Sequence, residues 1–136
     1  MRKFLITGHG TISSGIKSSL DLIIGRTEQV VVIDAYVDGN YSIESGIQAF
    51  LSHITPIDEI IVFTDLMGGS ITNQVLRYAL RENVHVISGM NLPLLIEVLM
   101  ADAESPVVEV IEKAVVSARE QITYVNKIIP KLNDHD

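Results

Sequence analysis

Four short apolar runs, rich in β-branched residues, each end at a glycine or an aspartate, and amphipathic stretches separate them; no other feature of the chain limits its fold so strongly. The runs are Phe4-Leu5-Ile6 before Gly8-His9-Gly10, Gln29 to Ile33 before Asp34, Glu59 to Phe63 before Thr64-Asp65, and Val84 to Ile87 before Ser88-Gly89. Near-continuous apolarity over so few residues predicts strands covered on both faces, as in a parallel sheet. The stretches between them carry apolar residues at helical spacing. Ile16, Leu20, Ile23 and Ile24 follow Ser13 or Ser14, either of which is a suitable N-cap, and stop at Gly25. Ile43, Ile47, Phe50 and Leu51 precede Thr55-Pro56; Ile71, Val75, Ala79 and Leu80 form a third stripe, and Leu92, Leu95, Ile96, Leu99 and Met100 a fourth. Val107, Ile111, Val115, Ala118 and Ile122 form a fifth after Ser105-Pro106. The rhythm β-α-β-α-β-α-β-α-α predicts an α/β fold, a three-layer open sheet, mainly parallel, with helices on both faces and right-handed crossovers. The expected strand order is 2-1-3-4. Ile122 to Ile129 reads either as more helix or as an extra C-terminal edge strand.

A chain of 136 residues with 47% hydrophobic content is expected to form a single domain over residues 1–136, with a core sufficient to fold without metal or crosslinks. It contains no cysteine, which removes disulfide frameworks and thiolate metal sites. Ten basic against 17 acidic residues give a net charge of −7, the opposite of a nucleic-acid binder's footprint. The apolar stretch after Met1-Arg2-Lys3 is too short for a signal sequence, and no run approaches the roughly 18 apolar residues of a membrane span. A soluble, cytoplasmic protein is the expectation.

Open α/β sheets bind ligands outside the carboxyl ends of their strands, near the point where strand order reverses. Those ends carry Gly8-His9-Gly10, Asp34, Asp65-Leu66-Met67-Gly68-Gly69-Ser70 and Ser88-Gly89-Met90-Asn91. With order 2-1-3-4, the first and third strands are neighbours, so His9 and Asp65 should meet. The glycines flanking His9 leave its ring uncrowded. Imidazole is largely neutral and nucleophilic near neutral pH. A carboxylate on one ring nitrogen fixes the tautomer, frees the lone pair of the other nitrogen, and stabilises the cation formed on attack. Gly68-Gly69-Ser70 turns into a helix, whose first N–H groups and partial positive charge favour an anion. Together these parts suit a phosphoryl group carried on histidine, and loss of one donor to its oxygens would raise the barrier by about 3 kcal/mol.

Each part also has a structural reading. Strand-end histidines and aspartates commonly serve hydrogen bonding and turns, Gly-Gly-Ser is a frequent helix entry, and Asp34 reads as a turn residue. His85 alternates within a strand and should pack; His53 lies in a loop after a helix, and His135 near the terminus. No metal-ligand spacing and no nucleotide-binding glycine motif occurs, so neither metal nor cofactor is expected. Ser70 lacks the Gly-x-Ser-x-Gly elbow of serine hydrolases. A hydrolase using Ser70 and a ligand-binding regulatory module without transfer chemistry remain as alternatives.

Leu5 to Gly10, Phe63 to Ser70 and Ile87 to Leu95, three motifs in order, resemble the enzyme IIA component of the mannose-type phosphoenolpyruvate-dependent sugar phosphotransferase system, the group that includes mannose, fructose, sorbose and N-acetylgalactosamine members. The resemblance runs from residue 1 to about residue 120. It implies a phosphotransferase without cofactor. His9 would accept a phosphoryl group from the phosphocarrier protein HPr and pass it to the enzyme IIB component, which phosphorylates sugar entering through the membrane components IIC and IID. Asp65 would hydrogen-bond the active imidazole, and Gly68, Gly69 and Ser70 would lie beside the phosphate. The resemblance further implies a homodimer that exchanges a C-terminal strand. A related phosphoryl-donor subunit of dihydroxyacetone kinase typically reads Ser-His-Ser, so Thr7-Gly8-His9-Gly10 favours the sugar system.

Overall fold

The alternation of runs and stripes is realised in full in a computed structural model, which describes residues 1–37, 43–79, 81 and 83–129. Strands β1 (Arg2–His9), β2 (Val30–Ala35), β3 (Glu59–Thr64) and β4 (Val84–Ser88) alternate with helices α1 (Ile12–Ile23), α2 (Glu44–Leu51), α3 (Ser70–Leu76), α4 (Leu92–Met100) and α5 (Val107–Glu120). The sheet order is β2-β1-β3-β4, and all three pairings are parallel.

The strands are apolar on both sides because each side has its own core. Phe4, Ile6, Ile61 and Phe63 point to one face and pack with Leu20, Leu94, Leu95, Val98 and Ala114 from α1, α4 and α5. Leu5, Ile60 and Val62 point to the other and pack with Ile47, Leu51, Ile71 and Val75 from α2 and α3. Period-two alternation thus assigns neighbouring residues to opposite layers. Phe63, Ile6, Ile60 and Ile61 have no solvent exposure. Each such side chain contributes about 1.5–3 kcal/mol of apolar burial, so the central pair β1–β3 anchors the molecule and makes a rigid base for whatever its ends carry.

Three local expectations need correction. Helix α1 begins after Thr11, not after Ser13 or Ser14, and Thr11 makes no side-chain cap bond. Asp34, at the end of β2, supplies the missing acceptor from a distance: its Oδ1 accepts from the Ser14 N–H at 3.1 Å and its Oδ2 from the Ser14 hydroxyl at 2.6 Å. A cap from a neighbouring strand leaves no trace in the helix's own sequence. Helix α3 ends at Leu76, with Ala79 in the following turn and Leu80 outside the described residues. No fifth strand exists among the described residues: α5 stops at Glu120, and Ile122, Tyr124 and Val125 are exposed. There the backbone bonds locally instead, Lys127 N–H to the Tyr124 carbonyl and Ile128 N–H to the Val125 carbonyl, in a 3-10 turn over Val125–Lys127. His135 lies outside the described residues.

Candidate active site

Strand register decides which end residues meet. Thr7 pairs with Thr64 across β1 and β3, while Gly8 and His9 pair with Asp34 and Ala35 of β2. Continuing the β1–β3 register by one step sets Asp65 beside Gly8, so its carboxylate reaches His9 by passing Gly8. A Cβ added to Gly8 would lie 2.6 Å from Ile12 Cγ2 and 3.1 Å from both Asp65 Cγ and Oδ2, so glycine leaves room for that approach. Beyond His9, Gly10 takes a positive φ of 59°, and its N–H bonds the Ala35 carbonyl at 2.7 Å, turning the chain into α1.

Asp65 Oδ2 accepts from the His9 backbone N–H at 2.8 Å and lies 2.8 Å from His9 Nδ1; Oδ1 accepts from the Leu66 N–H at 2.9 Å. Burial opposes ionisation of this carboxyl. The His9 N–H, the His9 ring and the Leu66 N–H outweigh that effect and hold its pKa below the usual aspartate value. An ionised carboxylate only accepts, so Nδ1 carries the ring proton and Nε2 keeps a free lone pair. The imidazole is 40% exposed while Asp65 is 10% exposed, so the ring reaches solvent and the carboxylate that holds it is largely covered.

The turn after β3 passes close by: a Cβ on Gly69 would stand 3.6 Å from His9 Cε1. Gly68 has φ 75°, and Gly69 caps α3 with extended backbone geometry. The turn is braced from below, where Thr72 Oγ1 donates to the Leu66 carbonyl at 2.5 Å and lies 2.8 Å from Thr64 Oγ1 in the buried layer. Leu66 and Met67, at 60% and 79% exposure, present an apolar rim in the turn that follows Asp65. Residues after β4 take structural roles. Met90 N–H bonds the Thr64 carbonyl at 3.1 Å, and Asn91 caps α4 by accepting from the Leu94 N–H at 3.0 Å.

One participant was not expected from the sequence. Tyr36, just past β2, has φ 63°; its ring centroid lies 5.2 Å from that of His9 with a 32° tilt, and its hydroxyl bonds Ser70 Oγ. Its signal in the sequence is an aromatic residue at a strand's carboxyl end, two positions after Asp34. Ser70 therefore pairs with a phenol, where a hydrolytic serine would need a base.

The sequence pattern of the family described as the PTS system fructose IIA component matches residues 3–115. The chain belongs to this family. The mannose-specific EIIAB component of the phosphotransferase system of Escherichia coli is 29% identical over 123 residues, 87% of this chain, and the match spans 38% of that relative's length. A crystal structure of phosphotransferase system component EIIA from Streptococcus agalactiae superposes with a TM-score of 0.82 at 31% identity, covering 93% of this chain and 99% of that one. A structure described as a phosphoenolpyruvate-dependent sugar phosphotransferase system permease, from Klebsiella pneumoniae, gives a TM-score of 0.87 at 33% identity, with 94% and 93% covered. The IIA family supports the sugar-system resemblance read from the three motifs, and the fold of these neighbours agrees with the 2-1-3-4 sheet. Among the described residues no helix is long and apolar enough to cross a membrane.

Proposed function

We propose that this IIA chain is a cytoplasmic phosphocarrier of a sugar phosphotransferase system, with His9 as the residue that carries the phosphoryl group. The observation that carries the reading is the 2.8 Å contact between His9 Nδ1 and Asp65 Oδ2, which leaves Nε2 as the nitrogen able to attack. In the transfer, the Nε2 lone pair forms a bond to phosphorus while the bond from phosphorus to the donor histidine of HPr breaks, its electron pair returning to that nitrogen. The Nδ1 proton stays in place, and Asp65 stabilises the positive charge that the ring acquires. Transfer to IIB reverses these roles. Gly69 approaches the Cε1 edge of the ring, which supports Gly68, Gly69 and Ser70 as the turn beside the phosphate, and the first-turn N–H groups of α3 are suited to the phosphoryl oxygens. The exposed side chains of Leu66 and Met67 suit a protein donor, which must bring its own imidazole in line with Nε2. Sugar itself need never touch this chain.

The family resemblance also carries a homodimer. Strand β4 ends the sheet, and beside it Leu76, Ala79, Val84, Val86, Val108 and Ile111, with His85 and Glu112, line a groove that a second copy would cover.

The test combines phosphoenolpyruvate, enzyme I and HPr with the chain, followed by intact mass and by acid and alkali treatment. The expected product gains one phosphate that is acid-labile and alkali-stable, and His9→Ala gains none. Labelling of His9→Ala equal to that of the parent would reject the assignment. Ester hydrolysis lost in Ser70→Ala, with no phosphate on His9, would point instead to hydrolase chemistry.

A further inference from the structure

His9 stands between its neighbours in the sheet, β2 on one side and β3 on the other. Tyr36 leaves the end of β2, and Ser70 opens α3 beyond β3, so the bond between their hydroxyls runs across the end of β1, where His9 lies. The Tyr36 ring approaches the imidazole at 5.2 Å between centroids, close enough for aromatic packing. To hold this position Tyr36 adopts a left-handed backbone, φ 63°, which a bulky side chain rarely takes unless its surroundings require it. Such an outlier beside a nucleophile, absent from every role assigned so far, calls for a function.

From this geometry we infer that Tyr36 is a positioning residue for His9, and that the Ser70 hydroxyl is the anchor holding Tyr36 over the ring. The inference rests on the phosphocarrier reading above and deepens it. Asp65 holds the imidazole through one ring nitrogen, which leaves rocking about the Nδ1 hydrogen bond as the remaining freedom. A packed aromatic ring removes that freedom, so Nε2 keeps the line of attack that an in-line displacement demands. Orientation of this kind acts on the transfer step, because the Tyr36 ring packs against the imidazole that makes the new bond. The hydroxyl acts at one remove: without it Tyr36 loses its bond to Ser70, and the ring is held less firmly against the imidazole.

The experiment is single-turnover transfer of labelled phosphate from phospho-HPr over a range of HPr concentrations, with Tyr36→Asn, Tyr36→Phe, Ser70→Ala and the double variant Tyr36→Phe/Ser70→Ala. Asn is chosen because it tolerates a positive φ, so the ring is removed without adding backbone strain. Ser70→Ala keeps the backbone N–H. For Tyr36→Asn the maximal transfer rate should fall about 10- to 100-fold, the size of effect that a misaligned reacting group produces, with the half-saturating HPr concentration and the melting temperature held. Tyr36→Phe and Ser70→Ala should each show a smaller loss, and the loss in the double variant should fall short of the two combined, since the Tyr36–Ser70 bond is counted in both. An unchanged maximal rate in Tyr36→Asn, a loss confined to half-saturation, a loss matched by a drop in melting temperature, or additive losses in the double variant would each overturn the role. If the parent chain itself takes no phosphate, the phosphocarrier reading fails; if the parent is labelled and Tyr36→Asn matches it, only the Tyr36 inference fails.

Discussion

Replacing Asp65 by asparagine tests the site most sharply, because the side chain keeps its shape and loses only charge and acceptor capacity. The carboxylate satisfies three donors at once: the His9 N–H and Nδ1–H on Oδ2, and the Leu66 N–H on Oδ1. An amide has one oxygen and one NH2 group. With the oxygen toward His9, the NH2 opposes the Leu66 N–H; with the amide flipped, it opposes both His9 donors and invites the wrong tautomer. The favourable orientation keeps a neutral bond to Nδ1–H in place of a charged one, where charged bonds contribute about 1.5–3 kcal/mol against about 1 for neutral ones. Loss of the anion that balances the phosphorylated ring adds to this. A barrier increase of about 2–3 kcal/mol corresponds to transfer about 30- to 150-fold slower. Rapid-quench measurement with labelled phospho-HPr at saturating donor reads that rate directly, and a thermal melt reports the accompanying loss of stability. Asp65→Ala, which removes both acceptor atoms, should be slower still but should leave a labelled species, since the nucleophile survives. Transfer by Asp65→Asn at the parent rate would refute the reasoning, as it would show that neither the charge nor the tautomer at Nδ1 matters.

Gly8→Ala places a methyl 3.1 Å from the Asp65 carboxyl and 2.6 Å from Ile12 Cγ2, so the carboxylate must retreat by a few tenths of an ångström; transfer should slow about tenfold, and the His9 ring proton, seen by NMR at Nδ1, should lose its strong hydrogen bond. Asp34→Ala removes the distant cap of α1 and should cost about 1–2 kcal/mol in chemical denaturation, while single-turnover transfer at a temperature where the variant stays folded keeps its parent rate. Because the pKa of Asp65 is depressed on folding, its contribution to stability is complete above the ordinary aspartate value of 3.8 and is lost as pH falls from there through the depressed value. Denaturation curves taken between neutral pH and strong acid should therefore lose less stability over this acid window in Asp65→Asn than in the parent; parallel curves would contradict the linkage.

Much of the site was legible because the chemistry sits at strand ends and strands announce themselves. The runs ending at His9 and Asp65 are unmistakably apolar, and given order 2-1-3-4 they must be neighbours, so the histidine–carboxylate pair follows from pattern once that order is taken. Gly68-Gly69-Ser70 reads as a helix entry and opens α3, but nothing in that segment names Tyr36 as the partner of Ser70. Asp34 was visible as a strand-end residue, but its work as a cap for α1 depends on Ser14 arriving opposite it from another element. The fifth stripe was followed one step too far, to Ile122, because periodicity does not mark where the core beneath a helix ends.

Local information in the chain was thus enough to mark the strands, the helices and the two residues at the strand ends, since apolar spacing is set by which side chains must leave water, and that requirement repeats along each element. Tertiary structure decided how those residues are aimed. The register that carries Asp65 past Gly8, the φ of 63° that turns Tyr36 over the imidazole, and the hydroxyl bond that ties it to Ser70 all join residues from separate strands and helices. Their geometry comes from distances between elements fixed by the packed core, and no spacing within one segment encodes such a distance.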